Sequence, residues 1–330
     1  MAREMRSREI GARANINVAL VKYWGKRDRV LNLPAAGSIS LTLDGLGTEA
    51  RVAFGAGEAD WCTIDGERAA GEEATRLVGF LDLVREAAGR RDRAHVAMRS
   101  FVPRGVGLAS SASAFAALAL AASRAAGMDL DPTALSALAR RGSGSAARSI
   151  FGGFVEWHRG ERPDGSDSVA EPLLAPDAWD LRVVVAITSM APKAVSSREG
   201  MSRAAASPFY PAWLGEVEAD LTAARAAIRA RDLITLGEIA EHSALVMHAV
   251  GLAARPPLFY WRGATVECVH AVWALRREGA HAYITIDAGP QVKVLTTPED
   301  APRVVVALEA VRGVERVISC PPGAGAGELG

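Results

Sequence analysis

The chain has 330 residues, enough for one large domain or two medium domains with buried cores. Hydrophobic residues make up 49% and charged residues 23%, as in ordinary globular proteins. The 38 lysines and arginines balance the 38 aspartates and glutamates, so the net charge gives no reason to expect a nucleic-acid partner. Any affinity for phosphate groups must come from local clusters.

No segment indicates secretion or a membrane anchor. Residues 1–10 are too charged for a signal peptide. The longest apolar stretch, residues 112–122, is shorter than the about 20 residues that span a bilayer. Cys62, Cys268 and Cys320 are far apart, without a metal-ligand spacing, and their scatter favours a reducing compartment. We therefore expect a cytoplasmic protein with no membrane partner.

The first hundred residues predict mainly strands and turns. Residues 38–44 alternate between apolar and polar side chains, as a half-buried strand does. One helix is predicted over residues 72–89, because Leu77, Phe80 and Val84 repeat at helical spacing. Other strands are predicted at residues 12–23, 51–54, 61–64 and 95–102.

The rest of the chain predicts helices separated by a few strands. Asp131 and Pro132 form an N-cap and first-turn pair at the start of one helix. The predicted helices are residues 110–126, 131–141, 211–231, 234–247, 266–278 and 301–311. A strand-like pair is predicted from residues 153–157 and 181–187, and further strands are predicted at 281–286, 291–296 and 315–319. The second half is therefore predicted to be an α+β unit.

Residues 103–113 run from a strand through a glycine-rich loop into a helix. Gly105 and Gly107 allow the backbone to approach a ligand, and a helix N-terminus offers free N–H groups and a positive dipole end. The hydroxyl groups of Ser110, Ser111 and Ser113 add donors. The segment is neither a Walker loop nor a Rossmann fingerprint. It predicts a phosphate site or, alternatively, tight helix packing by small residues.

A basic cluster follows the first strand. Lys22 and Lys26 are four residues apart with Tyr23 between them, so two amines and a phenol could enclose a dianionic group. Arg27 adds a third cation. Charges that keep a strand end soluble are the alternative explanation.

A second candidate anion site lies at residues 140–149. Ser143 and Ser145 flank a glycine and precede Arg148, so two hydroxyl groups and a guanidinium could bind one phosphate. A serine N-cap beside a surface arginine is the alternative. Asp287 ends a predicted strand before Ala-Gly-Pro, where the residues alone also allow a simple Asx turn.

Several of these segments resemble motifs of known families. Residues 103–112, Pro-x-Gly-x-Gly-Leu-Ala-Ser-Ser-Ala, resemble the nucleotide-phosphate motif of the GHMP kinase superfamily. The segments at residues 22–27, 141–148, 152–157, 195–201 and 241–249, and Asp-Ala-Gly-Pro at residues 287–290, resemble signature segments of the mevalonate diphosphate decarboxylase family. The resemblance extends in the expected order from residue 12 to about residue 324.

The resemblance implies a two-domain α+β GHMP kinase fold. Residues 1–188 would form a ribosomal-protein-S5-domain-2-like domain that binds ATP and substrate. Residues 189–330 would form a ferredoxin-like α/β sandwich carrying Asp287. The active site would lie in the cleft between them. Homodimers are usual in the family, so a homodimer is also expected.

The activity implied by the resemblance is ATP-dependent decarboxylation of (R)-5-diphosphomevalonate to isopentenyl diphosphate, with Mg²⁺ bridging the ATP phosphates. The catalytic residues would be Asp287, which would orient the reacting hydroxyl or accept its proton, with Lys22 and Arg148. The substrate would contact Tyr23, Lys26, Ser143, Ser145, Arg148, Ser196, Ser197 and Met201. ATP would contact Gly105, Gly107, Leu108, Ala109, Ser110, Ser111 and Ser113. No protein ligand for Mg²⁺ stands out, and the spacing of His242 and His248 does not suit a metal site on one helix face.

The chain departs from the family pattern at a few positions. Ala36 and Gly37 stand where the family has Asn-Ser, and Gln291 and Ala147 replace an asparagine and a cysteine. The first change points to the choice of substrate rather than to the class of reaction.

Three alternatives remain open. One is a related GHMP enzyme acting on mevalonate or its monophosphate, either a 3-kinase or a phosphomevalonate decarboxylase. Retention of Lys22 and Asp287 favours decarboxylation, and retention of Ser143, Ser145 and Arg148 favours a diphosphate. The others are a metabolite-binding protein without catalysis and a nucleic-acid-binding protein, which only the fold analogy suggests.

Overall fold

The computed structural model describes residues 9–55, 57–102 and 110–330. Its strands are β1 Ile10–Val21, β2 Lys26–Asp28, β3 Leu33–Pro34, β4 Ser38–Phe54, β5 Trp61–Ile64, β6 Glu67–Arg68, β7 Ala94–Ser100, β8 Phe154–Trp157, β9 Ala170–Leu174, β10 Arg182–Ile187, β11 Ala282–Ile286, β12 Val292–Thr296, β13 Arg316–Cys320 and β14 Gly327–Glu328. Its helices are α1 Gly71–Ala88, α2 Ser110–Ala125, α3 Pro132–Gly142, α4 Ala146–Ser149, α5 Ser197–Ala204, α6 Tyr210–Ala230, α7 Leu233–Leu252, α8 Gly263–Arg277 and α9 Ala301–Glu309.

The N-terminal unit is built on an eight-stranded sheet. Its strand order is β14-β1-β4-β7-β5-β6, with β8 paired to β4 and β9 paired to β8. The long strand β4 pairs with β8 through its first residues and with β7 through its last. Helix α2 packs on β1 and β4, and its fully buried alanines, such as Ala116 and Ala119, allow that close approach.

The C-terminal unit is built on a four-stranded antiparallel sheet. Its order is β11-β12-β10-β13, which is the β-α-β-β-α-β arrangement of ferredoxin-like folds. Helices α8 and α9 cover one face, where Cys268, Val272, Val304 and Leu308 are buried. Helix α7 packs against both β11 and β1, so a continuous core joins the two units.

The sheet pairings differ from one sequence prediction. The strand-like pair from residues 153–157 and 181–187 is wrong, because β8 pairs with β4 and β9 whereas β10 pairs with β12 and β13. Strand β10 therefore belongs to the second sheet, although it precedes the domain boundary placed at residue 188. Apart from Glu156 and Arg182, the residues of both strands are apolar and buried, so the side-chain pattern does not specify their strand partners.

None of the helices in the described part of the chain combines the length and the apolar character needed to cross a bilayer.

A buried ion pair ties α1 to the first sheet. The Arg85 guanidinium donates to both carboxylate oxygens of Asp60 at 2.9 Å, and both side chains are buried. Asp60 also accepts the Ala94 N–H at the start of β7, at 2.8 Å.

We expect Asp60→Ala to lower the free energy of unfolding by about 3 kcal/mol, because it leaves a buried guanidinium without its main partner. Urea denaturation measures the loss. As a control, Glu9→Ala removes the exposed pair with Arg51 and should cost less than about 1 kcal/mol. Equal effects of the two substitutions would contradict the structural role of Asp60.

Candidate functional site

A cavity of about 250 Å³ lies where the ends of β1 and β11 meet the turn between α3 and α4. Both units contribute side chains to it, as expected for a site in a cleft between domains. The predicted residues that line it are Lys22, Tyr23, Lys26, Ser111, Ser143, Ser145, Arg148, Ser196, Ser197, Met201 and Asp287.

Asp287 follows the last residue of the buried strand β11 and is held by two lysines. Lys22 Nζ lies 2.7 Å from Asp287 Oδ1, and Lys293 Nζ lies 2.9 Å from Oδ2. Burial by itself would raise the pKa of Asp287, but the two ammonium groups outweigh it and hold the pKa well below its usual range. The carboxylate is therefore ionised at any physiological pH.

The lysines of the cavity carry more positive charge than Asp287 neutralises. Burial lowers the pKa of Lys22 to about 8, although Asp287 opposes the shift. Burial and the neighbouring Lys293 lower the pKa of Lys193 to about 8. Burial and the guanidinium of Arg198 lower that of Lys26 to about 8. An anion entering the cavity would relieve this repulsion, so the electrostatics favour a phosphorylated ligand.

Arg148 projects from the short helix α4 and is fixed by buried partners. Its Nη1 donates to Ser38 Oγ at 2.6 Å, and its Nη2 donates to Asn17 Oδ1 at 3.1 Å. Asn17 in turn donates to Ser149 Oγ at 2.8 Å. Burial lowers the pKa of Arg148 to about 10, so the guanidinium remains charged. These contacts hold the charged Arg148 guanidinium at the inner wall of the cavity, away from solvent.

Tyr23 presents a buried hydroxyl to the cavity. Its ring packs edge-on against Trp157, with centroids 4.8 Å apart, and burial raises its pKa. The Oη atom has no hydrogen-bond partner within the described residues. Because a buried hydroxyl without a partner is costly, a ligand oxygen is its expected acceptor.

The serines fall into two groups. Ser143 Oγ lies 3.4 Å from Ser145 Oγ and 3.3 Å from Ser111 Oγ, so the α3–α4 turn meets the N-terminus of α2.

Ser113 differs from the prediction of an ATP contact: it is fully buried and shares a 2.8 Å hydrogen bond with Thr48 on β4. The Ser113 hydroxyl therefore points toward the sheet. Of the other predicted ATP contacts, Gly105, Gly107, Leu108 and Ala109 lie outside the described residues, and Ser110 is exposed on α2.

Among the residues of this site that sequence reasoning missed, four bear directly on its charged groups. Lys193 and Arg198 line the cavity, Asn17 orients Arg148, and Lys293 binds Asp287. A signal for the lysines was present: the chain has only four lysines among its 38 basic residues, and Lys22, Lys26, Lys193 and Lys293 all lie at this site.

The departures from the family pattern lie outside the cavity wall. Ala36 and Gly37 do not line the cavity, and the neighbouring Ser38 makes the contact with Arg148. Gln291 is buried, where its amide donates to Ser189 O at 2.7 Å and accepts from Thr188 N–H at 2.6 Å. It therefore links β10 to the turn that carries Asp287.

A potential metal cluster lies elsewhere. In the part of the chain that the structure describes, Glu156, His158 and Glu171 bring ligand atoms within 4.8 Å of one another. They lie on or beside β8 and β9, outside the cavity, and Arg225 Nε is 3.0 Å from Glu156 Oε2. The cluster is therefore not part of the candidate site.

Comparisons with known proteins agree with this arrangement. Residues 14–170 match the family model for the diphosphomevalonate decarboxylase-like N-terminal domain, and residues 183–320 match that for the mevalonate 5-diphosphate decarboxylase C-terminal domain. The chain belongs to the diphosphomevalonate decarboxylase family. The two matches confirm the predicted family and the mixed α+β fold of two domains.

Relatives in this family resemble the chain over most of its length. The diphosphomevalonate decarboxylase of Gibberella zeae is 34% identical over 91% of this chain and 84% of its own. The crystal structure of mevalonate diphosphate decarboxylase from Staphylococcus aureus has a TM-score of 0.93 and 38% identity, covering 98% of each chain. A structure of MDDEF in complex with MVAPP, AMPPCP and magnesium has a TM-score of 0.91 and 40% identity, covering 97% of this chain and 98% of that one.

Gly144 makes room for Tyr23 in this decarboxylase-family site. A Cβ atom at residue 144 would lie 2.7 Å from Tyr23 Oη and 2.9 Å from Trp157 Cη2. We expect Gly144→Ala to displace the phenol and weaken binding of inorganic diphosphate at least about tenfold, or about 1.4 kcal/mol, by isothermal titration calorimetry.

Gly215→Ala on α6 is the matched control, because nothing lies within 4 Å of its added Cβ atom. It should leave the affinity for diphosphate unchanged. A folded Gly144→Ala variant with unaltered affinity would refute the role given to Tyr23.

Proposed function

We propose that the chain catalyses ATP-dependent decarboxylation of (R)-5-diphosphomevalonate, giving isopentenyl diphosphate, ADP, phosphate and carbon dioxide. The observation that carries the proposal is the ionised Asp287 between Lys22 and Lys293, in one cavity with the anion-binding groups around Arg148. Membership of the diphosphomevalonate decarboxylase family supports the same reaction.

The cavity offers separate places for the two ends of such a substrate. The diphosphate would lie among Tyr23, Lys26, Ser143 and Ser145. Within the described residues, the Tyr23 hydroxyl has no hydrogen-bond partner and the Lys26 ammonium has no salt-bridged carboxylate. Arg148 would contact the substrate's diphosphate or carboxylate from the inner wall. Ser196, Ser197 and Met201 would contact the mevalonyl portion from α5 and the residue before it.

The reacting hydroxyl would lie against Asp287. A tertiary alcohol is a crowded nucleophile, so its alignment with the transferred phosphoryl group governs the rate. Both carboxylate oxygens are bound by ammonium groups and the pKa of Asp287 is far below its usual range, so proton acceptance is unfavourable. Asp287 would therefore orient the hydroxyl, whose proton would pass to an oxygen of the transferred phosphoryl group, while Lys22 and Lys193 would offset charge on that group.

The second stage breaks two bonds of the phosphorylated intermediate. The C3–O bond breaks and its electron pair leaves with phosphate, so positive charge develops at C3. The electron pair of the bond to the carboxylate carbon then forms the new C=C bond, and carbon dioxide leaves. Burial of Lys22 and Arg148 limits access of water to this end of the cavity, which protects the cationic centre.

ATP would approach over the N-terminus of α2. A second cavity of about 300 Å³ is lined by Ser110, Ser111, Ile64, Met98 and Val102, and it shares Ser111 with the first. Apolar side chains there suit a nucleobase, and the shared serine would lie near the phosphates. The complex of MDDEF with AMPPCP and magnesium supports nucleotide binding in this family.

Mg²⁺ fits this donor set when the phosphates supply most of its ligands. Of the described residues, Glu72 and Asp287 are the carboxylates that line the main cavity, and Asp287 is occupied by lysines. Magnesium prefers one or two carboxylates with phosphate oxygens and water. When bound, it would neutralise part of the charge on the phosphates of ATP. The homodimer and the cytoplasmic location stay predictions from the sequence.

The assay that tests the function follows ADP and carbon dioxide together, with mevalonate diphosphate and with its monophosphate. We expect both products in equal amounts and a preference for the diphosphate. ADP without carbon dioxide would identify a kinase, and a preference for the monophosphate would identify the alternative decarboxylase.

Asp287→Asn should lower kcat by at least about 100-fold, because a neutral amide cannot hold the hydroxyl in the same way. The apparent affinity for ATP should change little. Asp129→Asn is the matched control, because that side chain is exposed and pairs only with Arg124 among the contacts of the described chain. Near-normal turnover of Asp287→Asn would contradict the assignment.

The pH profile of kcat/KM tests the lysines of the free enzyme. Lys22, Lys26 and Lys193 have pKa values lowered to about 8, so each loses its charge as the pH rises through that value. We expect kcat/KM to fall above about pH 8, since the charged forms bind the phosphates. Lys26→Arg, which retains its charge, should make this fall less steep. A flat profile up to about pH 10, where ordinary lysine titrates, would exclude the effect.

A further inference from the structure

Lys293 stands out by its residue type. Four of the 38 basic residues are lysine and all the others are arginine, so lysine is rare in this chain. Three of the four lysines line the cavity, and the fourth, Lys293, binds Asp287. Lysine offers a compact point charge, whereas the arginine fork is larger and planar. The distribution indicates that compact ammonium groups are concentrated at this site.

Lys293 and Lys22 reach Asp287 from different units. Lys293 lies on β12 opposite Thr285 of β11, in the same sheet as the strand that carries Asp287. Lys22 follows β1 of the N-terminal sheet, and its ammonium also donates to Ala19 O at 2.8 Å. The two lysines bind different carboxylate oxygens. Lys293 therefore fixes the carboxylate relative to its own sheet, and Lys22 connects it to the other unit.

The charge of Lys293 is not needed to compensate Asp287. Lys22 alone would form a neutral pair with that carboxylate, and Lys293 adds a second ammonium group that is itself buried. A surplus buried charge destabilises the fold rather than supporting it. Its presence is explained if the reaction requires a carboxylate held on both oxygens.

We propose that Lys293 is a positioning residue, which binds Asp287 Oδ2 so that the carboxylate remains ionised and correctly oriented toward the reacting hydroxyl. Lys293 does not line the cavity itself and acts through Asp287. The inference rests on the proposed function only in that this function identifies the reacting hydroxyl of the substrate. The contact between Lys293 and Asp287 does not depend on it.

The main test is Lys293→Met, which removes the charge and keeps an unbranched side chain. We expect kcat to fall about 100-fold while KM for ATP changes less than about twofold, because the reacting group is misplaced and nucleotide binding is not. The thermal midpoint should equal or exceed that of the wild type, since the surplus charge is gone. The pKa of Asp287 should also rise. On acidification, the variant should therefore lose activity at a higher pH than the wild type does.

Lys293→Arg is the charge-retaining comparison. It takes the place of a matched Lys→Met control, because no lysine lies outside the site. It should lower kcat through its larger size, while the acidic limb of the pH profile stays where it is in the wild type. Unchanged kcat and pH profile in Lys293→Met would overturn the proposal. Parallel losses of stability and activity, without a shift of the acidic limb, would also overturn it by showing a structural role only.

A readout independent of turnover separates this inference from the proposed function. Carbon-13 NMR of aspartate carboxyl groups, with Asp287→Asn used for assignment, follows the titration of Asp287 directly. In Lys293→Met that titration should move to higher pH whatever reaction the enzyme catalyses. An unmoved titration would overturn the role of Lys293, whereas absence of both ADP and carbon dioxide with the wild type would reject the function alone.

Discussion

The contact between Lys22 and Asp287 is the interaction on which the site depends. It joins the end of β1 in one sheet to the end of β11 in the other, across a distance of 2.7 Å between charged atoms. Two further bonds secure the same junction, from Lys22 N–H to Ser243 Oγ and from Thr285 Oγ1 to Ala19 O. The catalytic geometry and the packing of the two units are therefore one arrangement, and neither sheet alone would form the site.

Positive charge dominates the cavity around that contact. Lys22, Lys193, Lys293 and Arg148 surround a single ionised carboxylate, and burial lowers the pKa values of Lys22 and Lys193. Such a site is unfavourable without its ligands and becomes favourable when phosphate groups bind. In the proposed reaction, the same excess favours a role for Asp287 in orienting the hydroxyl rather than in removing its proton.

Local patterns in the sequence predicted helices well where an apolar face or a capping residue defines the helix. Asp131 caps α3 as expected, accepting the Ala134 N–H, and the helices near residues 211–231 and 234–247 are present as α6 and α7. The strand partners of β8 and β10 could not be predicted, because apolar side chains lie on both faces of each strand. For this reason β10 was placed with β8, although it pairs with β12 and β13.

By itself, the sequence determined the family, the class of reaction and half of the residues that line the cavity, because motif residues close together in the chain meet at one turn or helix end. The tertiary structure alone decided that both carboxylate oxygens of Asp287 are bound by lysines. Lys293 meets it across two paired strands, and Lys22 meets it from the other sheet. It also turned Ser113 into the core toward Thr48. Contacts of this kind depend on strand register and on how units pack, which no local pattern records.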